Sequence, residues 1–88
     1  MKVVVLYKPK SEHARLVEEF IDNFRRNEPD KKIELQDVDS RSGSAMATIY
    51  DVVQYPAVVA TTDNGEPIQM WQGEMMPLVS EVAYYAQR

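Results

Sequence analysis

The 88-residue sequence contains no cysteine and one histidine, His13. Without cysteine the chain cannot form a disulfide, bind a metal through thiolates or carry out any thiol-based reaction. Dithiol and monothiol redox catalysis are therefore both excluded. A single histidine also falls short of the sets of His and Cys ligands that hold zinc in proteins. We therefore expect no metal and no cofactor.

Basic clusters and long apolar runs are also scarce. Lys and Arg number ten against fourteen Asp and Glu, which gives a formal net charge of -4, and Lys31-Lys32 is the one pair of adjacent lysines. Nucleic-acid binding depends on clustered basic residues, so no nucleic-acid partner is expected. The longest early apolar run, residues 3–6, is much shorter than a membrane span or a signal-peptide core. We expect no membrane contact and a cytoplasmic location.

What the sequence does contain fits one small domain, residues 1–88, with a hydrophobic fraction of 44%. Residues 2–7 are rich in β-branched side chains and predict a strand buried on both faces. Ser11 is suited to be the N-cap of an amphipathic helix that Pro29 closes. Residues 32–38 alternate and predict a half-exposed edge strand. The apolar positions of the helix are Leu16, Val17, Phe20, Ile21 and Phe24.

The second half of the sequence predicts a helix, a hairpin and a final helix. Ser40–Ser44 reads as a polar break before a helix over Ala45–Val53. Residues 57–61 and 68–72 predict two strands joined by a tight turn at Asn64-Gly65. Pro77 suits the first turn of the last helix. The predicted apolar positions are Ala45, Met46, Ile49, Val52 and Val53 in the second helix, and Leu78, Val79, Val82, Ala83 and Tyr85 in the last.

The resulting order is β-α-β-α-β-β-α. Together with Lys8-Pro9-Lys10-Ser11-Glu12-His13-Ala14 before a helix and Tyr55-Pro56 before a hairpin, it resembles the thioredoxin and glutaredoxin superfamily. Glutaredoxins carry Lys-Pro-x-Cys-x-x-Cys here, so Ser11 falls on the nucleophilic cysteine and Ala14 on the resolving cysteine. The resemblance implies an α/β thioredoxin-like fold, with a four-stranded mixed sheet and helices on both faces. It also implies that Pro56 matches a cis-proline facing the site.

Two side chains near the missing cysteines have more than one interpretation. Ser11 is either a helix cap without further function or a nucleophile, which would need a general base. His13 lies two residues further along the helix, which points it about 200° away from Ser11. It is therefore interpreted as a partly buried structural residue or a polar contact for a partner.

The remaining candidates suit binding. Tyr7, Pro9, Tyr55 and Pro56 would lie near Ser11 in this fold and form a peptide-binding groove, or the tyrosines cover the end of the core. Lys8 resembles the glutaredoxin lysine that helps to hold the glycine carboxylate of glutathione. However, Gln72-Gly73-Glu74-Met75 stands where that family has Gly-Gly and an acidic residue.

The sequence therefore predicts a redox-inactive thioredoxin-like domain that binds a protein or peptide through the face around Ser11 and Pro56. The alternative is a glutathione-binding or glutathione-transferase-like enzyme in which Ser11 stabilises the thiolate. A third possibility is a structural or regulatory dimer paired through the strand that carries Trp71. We accordingly expect a monomer or a weak homodimer. Met70, Met75 and Met76 surround Trp71 in this interpretation, as core packing or as an interface.

Overall fold

The computed structural model of the chain describes residues 1–73 and 76–86. It contains the elements in the predicted order, a mixed α/β arrangement of four strands and three helices. None of the helices in the described part has the length and apolar content needed to cross a bilayer. The elements are β1 (Lys2–Tyr7), α1 (Ala14–Asn27), β2 (Glu34–Asp37), α2 (Arg41–Ile49), β3 (Ala57–Thr61), β4 (Pro67–Gln72) and α3 (Val79–Tyr85).

The sheet has the strand order β2-β1-β3-β4. β1 and β2 are parallel, whereas β3 is antiparallel to both β1 and β4. Tyr7 is opposite Asp37, Leu6 is opposite Ala57, and Ala57 is opposite Gln72. The carboxyl ends of β1, β2 and β4 therefore meet the amino end of β3. We call this the site end of the sheet, and the opposite end the far end.

Helices cover both faces of the sheet, as the sequence predicts. Successive side chains of a strand point to opposite faces, so the buried strand β1 supplies both halves of the core. Val3 and Val5 pack with residues of α1 and α3 in one cluster. Val4 and Leu6 pack with Val52 on the α2 side in the other. The strand prediction for residues 2–7 and its burial on both faces are confirmed.

The start of the first helix differs from the prediction. α1 begins at Ala14, with His13 in the N-cap position, so the assignment of Ser11 as the N-cap is wrong. The chain first makes a turn in which the Ser11 N–H donates to the Lys8 carbonyl oxygen, at 3.1 Å. Leu16 is also misassigned, because it is 39% exposed and lies beside the buried stripe. The buried positions of the helix are Ala14, Val17, Phe20, Ile21 and Phe24.

The second helix also begins earlier than the sequence suggests. The Ser40 hydroxyl accepts the Gly43 N–H, at 3.0 Å, and this N-cap starts the helix inside the predicted polar break. Gly43 is required because a β-carbon there would overlap the carbonyl oxygen of Asp37. Ile49 and Val53 are 72% and 78% exposed, so they do not belong to the buried face. The positions that face the core are Gly43, Met46, Ala47 and Tyr50, followed by Val52 beyond the helix.

The hairpin is present, but its loop is longer than the predicted two-residue turn. The Thr62 N–H donates to the Glu66 carbonyl oxygen at 2.8 Å, and the Gly65 N–H donates to the Thr62 carbonyl oxygen at 3.0 Å. Gly65 has a positive φ of 90°, which glycine adopts without a steric cost. This is a three-residue loop ending in a glycine. The strand pairing shifts register separately, between Ala60 and Thr61.

The last helix begins two residues after Pro77, with Leu78 in the N-cap position, so the placement of Pro77 in its first turn is wrong. The Leu78 N–H donates to Glu81 Oε1, at 3.1 Å, and Leu78 itself is 67% exposed. The Trp71 ring of β4 packs edge-on against Tyr85, with 5.7 Å between ring centroids. Met75 lies outside the described residues. Pairing through the exposed edge of β4 stays a prediction.

Candidate functional site

The strand register brings the two predicted motifs to the site end of the sheet. The loop Lys8–His13 follows the last residue of β1, and Tyr55-Pro56 precedes the first residue of β3. Because Leu6 is opposite Ala57, the residues that flank this pair, Tyr7 and Pro56, lie next to each other at that end. The structure therefore places Ser11, Ala14 and Pro56 at one end of the sheet.

The loop Lys8–His13 is held together by its own hydrogen bonds. The Lys8 carbonyl oxygen accepts from both the Ser11 N–H, at 3.1 Å, and the Ser11 hydroxyl, at 2.7 Å. The Lys8 N–H donates to His13 Nε2, at 3.1 Å, which requires a lone pair on that nitrogen. The Ala14 N–H donates to the Ser11 carbonyl oxygen, at 3.2 Å. The Ser11 hydroxyl hydrogen is thus already used, and His13 acts as a brace for the loop.

The position that matches the resolving cysteine is part of the core. Ala14 is buried and begins α1. The Val17 N–H donates to the His13 carbonyl oxygen, at 3.1 Å. The sequence suggested that free N–H groups at the start of this helix could hold an anion. One of them, that of Ala14, instead donates to the Ser11 carbonyl oxygen of the preceding loop, and the Val17 bond is the first bond of the helix itself.

A shallow depression of about 410 Å³ lies beside this loop. Lys8, Pro9 and Lys10 are exposed on one side of it, and Asp37 and Asp39 line the other. One carboxylate oxygen of Asp37 is already hydrogen-bonded, because Oδ1 accepts the Asp39 N–H at 2.8 Å. Within the described part of the chain, no group of three His, Asp or Glu side chains is arranged to hold a metal ion. Sequence reasoning did not place the two aspartates here, because their proximity comes from strand pairing.

The segment before β3 has an open stretch of backbone. The Tyr55-Pro56 peptide bond is cis, Pro56 is buried, and its carbonyl oxygen accepts the Gly73 N–H at 3.0 Å. Gln72 Oε1 accepts the N–H groups of Val53, at 2.8 Å, and Gln54, at 3.2 Å. Between these anchors, the N–H and C=O of Tyr55 make no hydrogen bond to residues 1–73 or 76–86. The sequence did not predict that the Gln72 side chain accepts these two N–H groups.

The two tyrosines of the candidate groove lie on opposite faces of the sheet. Tyr7 is half-buried against the cluster formed with α1 and α3, and Tyr55 is half-buried against the cluster on the α2 side. The structure therefore does not bring the two rings together into one aromatic surface. It places the Lys8–Ser11 loop and the backbone of Tyr55 at the same end of the sheet.

No family model matches the chain, and no curated protein matches it in a sequence search. The structure does match solved structures, among them mitochondrial thioredoxin 3 from Saccharomyces cerevisiae in its oxidized form. The two are 18% identical with a TM-score of 0.69, and the match covers 96% of this chain and 74% of the thioredoxin chain. The protein therefore has a thioredoxin-like fold. It has no cysteine anywhere, so the site end cannot carry out thiol redox chemistry.

Proposed function

We propose that this thioredoxin-like domain binds an extended segment of a partner protein at the site end, around Ser11 and Pro56. The observation that supports the proposal most strongly is the backbone of Tyr55, whose N–H and C=O bond to no described residue. An extended peptide can pair with such groups as an added strand does. The exposed loop Lys8–Lys10 lies at the same end of the sheet and supplies side-chain contacts.

Both sides of this surface are held in place before a partner arrives. The His13 imidazole braces the Lys8 backbone, and the Gln72 amide braces Val53 and Gln54. A preorganised surface gives up little conformational entropy on binding, so more of the interaction energy contributes to affinity.

The charges around the depression favour a segment of mixed charge. Lys8 and Lys10 can pair with an acidic residue of the partner, and Asp37 and Asp39 can pair with a basic one. Such exposed pairs contribute more to orientation and association rate than to affinity. The backbone of Tyr55 then supplies the sequence-independent part of the recognition.

The alternative is a glutathione-binding or transferase-like activity centred on Ser11, and it ranks second. Stabilising a thiolate needs a hydroxyl that can donate to sulfur, and the Ser11 hydroxyl donates to the Lys8 carbonyl oxygen at 2.7 Å. Calorimetry with millimolar glutathione separates the two ideas. Heat of binding that disappears in Ser11→Ala would favour the enzyme, and no heat would favour the peptide surface.

The proposal is tested by selecting peptides from a random displayed library against the immobilised chain and measuring their affinities by fluorescence anisotropy. Lys8→Glu/Lys10→Glu should weaken a selected acidic peptide by about tenfold, because it reverses two charges on the surface. Arg25→Glu/Arg26→Glu is the matched control, since it makes the same net charge change at two exposed positions in the last turn of α1, away from the site end. Equal losses in both variants, or a library that yields no peptide, would contradict the proposal.

A further inference from the structure

A second concave surface lies at the far end of the sheet. It is a groove of about 960 Å³ between the start of β1, the last turns of α1, the connection from α1 to β2, and the β3–β4 loop. Its volume falls within the usual range for ligand-binding clefts. Since the Lys8–His13 loop follows the opposite end of β1, the groove is separate from the surface proposed above.

The groove concentrates positive charge in an acidic chain. Four of the ten Lys and Arg residues line it, but only two of the fourteen Asp and Glu residues do. The formal net charge of the whole chain is -4, so this distribution is a strong local reversal. The charged side chains of the groove are Lys2, Arg25, Lys31, Lys32, Glu34 and Asp63.

Two of these charges are already neutralised. Asp63 accepts from the Met1 ammonium, at 2.7 Å, and Lys31 lies 3.2 Å from Glu28. In the part of the chain that the structure describes, the other three cations take part in no salt bridge, and a single carboxylate remains opposite them. The cations are Lys2, Arg25 and Lys32, and the carboxylate is Glu34.

The floor of the groove is apolar. Val3 and Ala86 are buried beneath it, and Ile33 is half-buried against the α1 and α3 cluster. Burial of an apolar side chain on such a floor contributes about 25 cal/mol per Å² removed from water. The groove therefore offers apolar contact in its centre and positive charge around it.

We propose that this basic groove binds an acidic peptide segment of a partner protein, with an apolar side chain between its carboxylates. The carboxylates would face Lys2, Arg25 and Lys32, and the apolar side chain would cover Ile33. Charge complementarity favours this occupant over a second copy of the chain, whose net charge of -4 is spread over a surface with many basic residues. A nucleic acid would leave the apolar floor uncovered, and its binding relies on many phosphate contacts.

The test uses a fluorescein-labelled peptide of sequence Glu-Glu-Leu-Glu-Leu-Glu-Glu and the intact chain, with binding followed by anisotropy. Saturable binding at about 20 mM salt should weaken several-fold at about 300 mM, because exposed charges are screened. A probe with serine in place of leucine should bind more weakly by about fivefold or more, because it leaves the apolar floor uncovered. Equal affinity of the two probes would overturn the apolar part of the proposal.

Charge reversal locates the binding. Lys2→Glu/Lys32→Glu should weaken the leucine probe by about tenfold or more, and the control Arg15→Glu/Arg41→Glu, with the same net charge, by about twofold or less. Circular dichroism checks that both variants fold. Equal losses would mean that the probe senses only net charge and would overturn the proposal. A short oligothymidylate provides a second check. The proposal would also be overturned if it bound the wild-type chain as tightly as the peptide does and if Lys2→Glu/Lys32→Glu weakened its binding by the same factor.

Discussion

The side-chain oxygen of Gln72, at the end of β4, accepts the backbone N–H of Val53 at 2.8 Å. The same oxygen accepts the N–H of Gln54 at 3.2 Å. One side-chain amide therefore holds the backbone directly before Tyr55. The N–H and C=O of Tyr55 come immediately after the two residues that it holds. The loop is held by a residue nineteen positions away in the chain.

Gln72→Ala should release this loop. Two backbone N–H groups lose their partner, and the free energy of unfolding should fall by about 1 kcal/mol, the usual net value for such bonds near a surface. The amide exchange of Val53 and Gln54 should become faster. Gln69→Ala is the control, since among residues 1–73 and 76–86 the Gln69 amide accepts only the N–H of its own neighbour, Met70. Urea denaturation and hydrogen exchange together measure both effects, and equal behaviour of the two variants would contradict this role.

Gly43→Ala should be much more damaging than its size suggests. The added β-carbon would overlap the Asp37 carbonyl oxygen, so the start of α2 must move away from the end of β2. We expect a loss of about 1–3 kcal/mol in unfolding free energy, as for other overpacked positions. Ser44→Ala, at the next and exposed position, should change it by about 0.5 kcal/mol or less. Thermal or urea unfolding would refute the prediction if both variants unfolded alike.

His13→Ala should loosen the loop that carries Ser11. The Lys8 N–H loses its acceptor, Nε2 of the imidazole, so the exchange of the Lys8 amide should become faster. The exchange of the Val38 amide, which donates to the Tyr7 carbonyl oxygen at 3.0 Å, should change little. Glu12→Ala is an exposed neighbour for comparison. A Lys8 amide that exchanges at the wild-type rate in His13→Ala would show that the imidazole does not brace the loop.

Asp63 predicts a dependence of stability on pH. The Met1 ammonium, by its hydrogen bond and its charge, holds the pKa of Asp63 below its ordinary value of 3.8, and Lys2 contributes in the same direction. A carboxyl group with a lowered pKa in the folded state stabilises that state above its unfolded pKa, and this stabilisation is lost as the pH falls through the folded value. Asp63→Asn should therefore be less stable than the wild type at about pH 6, and the difference should shrink as the pH falls below 3.8 and through the folded value. A difference that is constant with pH in urea unfolding would contradict the pairing.

The alternation and helical periodicity in the sequence were enough to predict the order of elements, and the thioredoxin-like fold followed from the resemblance of that order and of its motifs to the superfamily. These patterns failed at positions where a single contact determines the local structure. Gly43 reads as a helix breaker, yet it lies in the first turn of α2 because it fits against Asp37 and its N–H is capped by Ser40. Ser11 reads as a helix cap, yet the preceding turn uses its hydroxyl. Both outcomes depend on backbone oxygens whose positions follow only from the folded chain.

The sequence could predict that Ser11 and Pro56 lie near each other in the fold, but not how the side chains around them are arranged. The order of strands places Ser11 and Pro56 at the same end of the sheet. The division of Tyr7 and Tyr55 between the two faces depends on the register between β1 and β3 and on the chain path before Ala57. The basic groove at the far end could not be predicted from the sequence, since Lys2 is distant along the chain from Arg25 and from the pair Lys31-Lys32, and these residues meet only on folding.

The backbone of Tyr55 is tested most directly by nuclear magnetic resonance of the ¹⁵N-labelled chain during titration with a peptide selected on it. The account predicts the largest shifts at the amides of Tyr55 and of Lys8–Ser11, together with slower exchange of the Tyr55 amide in the complex. Shifts confined to β4 or to the far-end groove, with the Tyr55 amide unchanged, would contradict it.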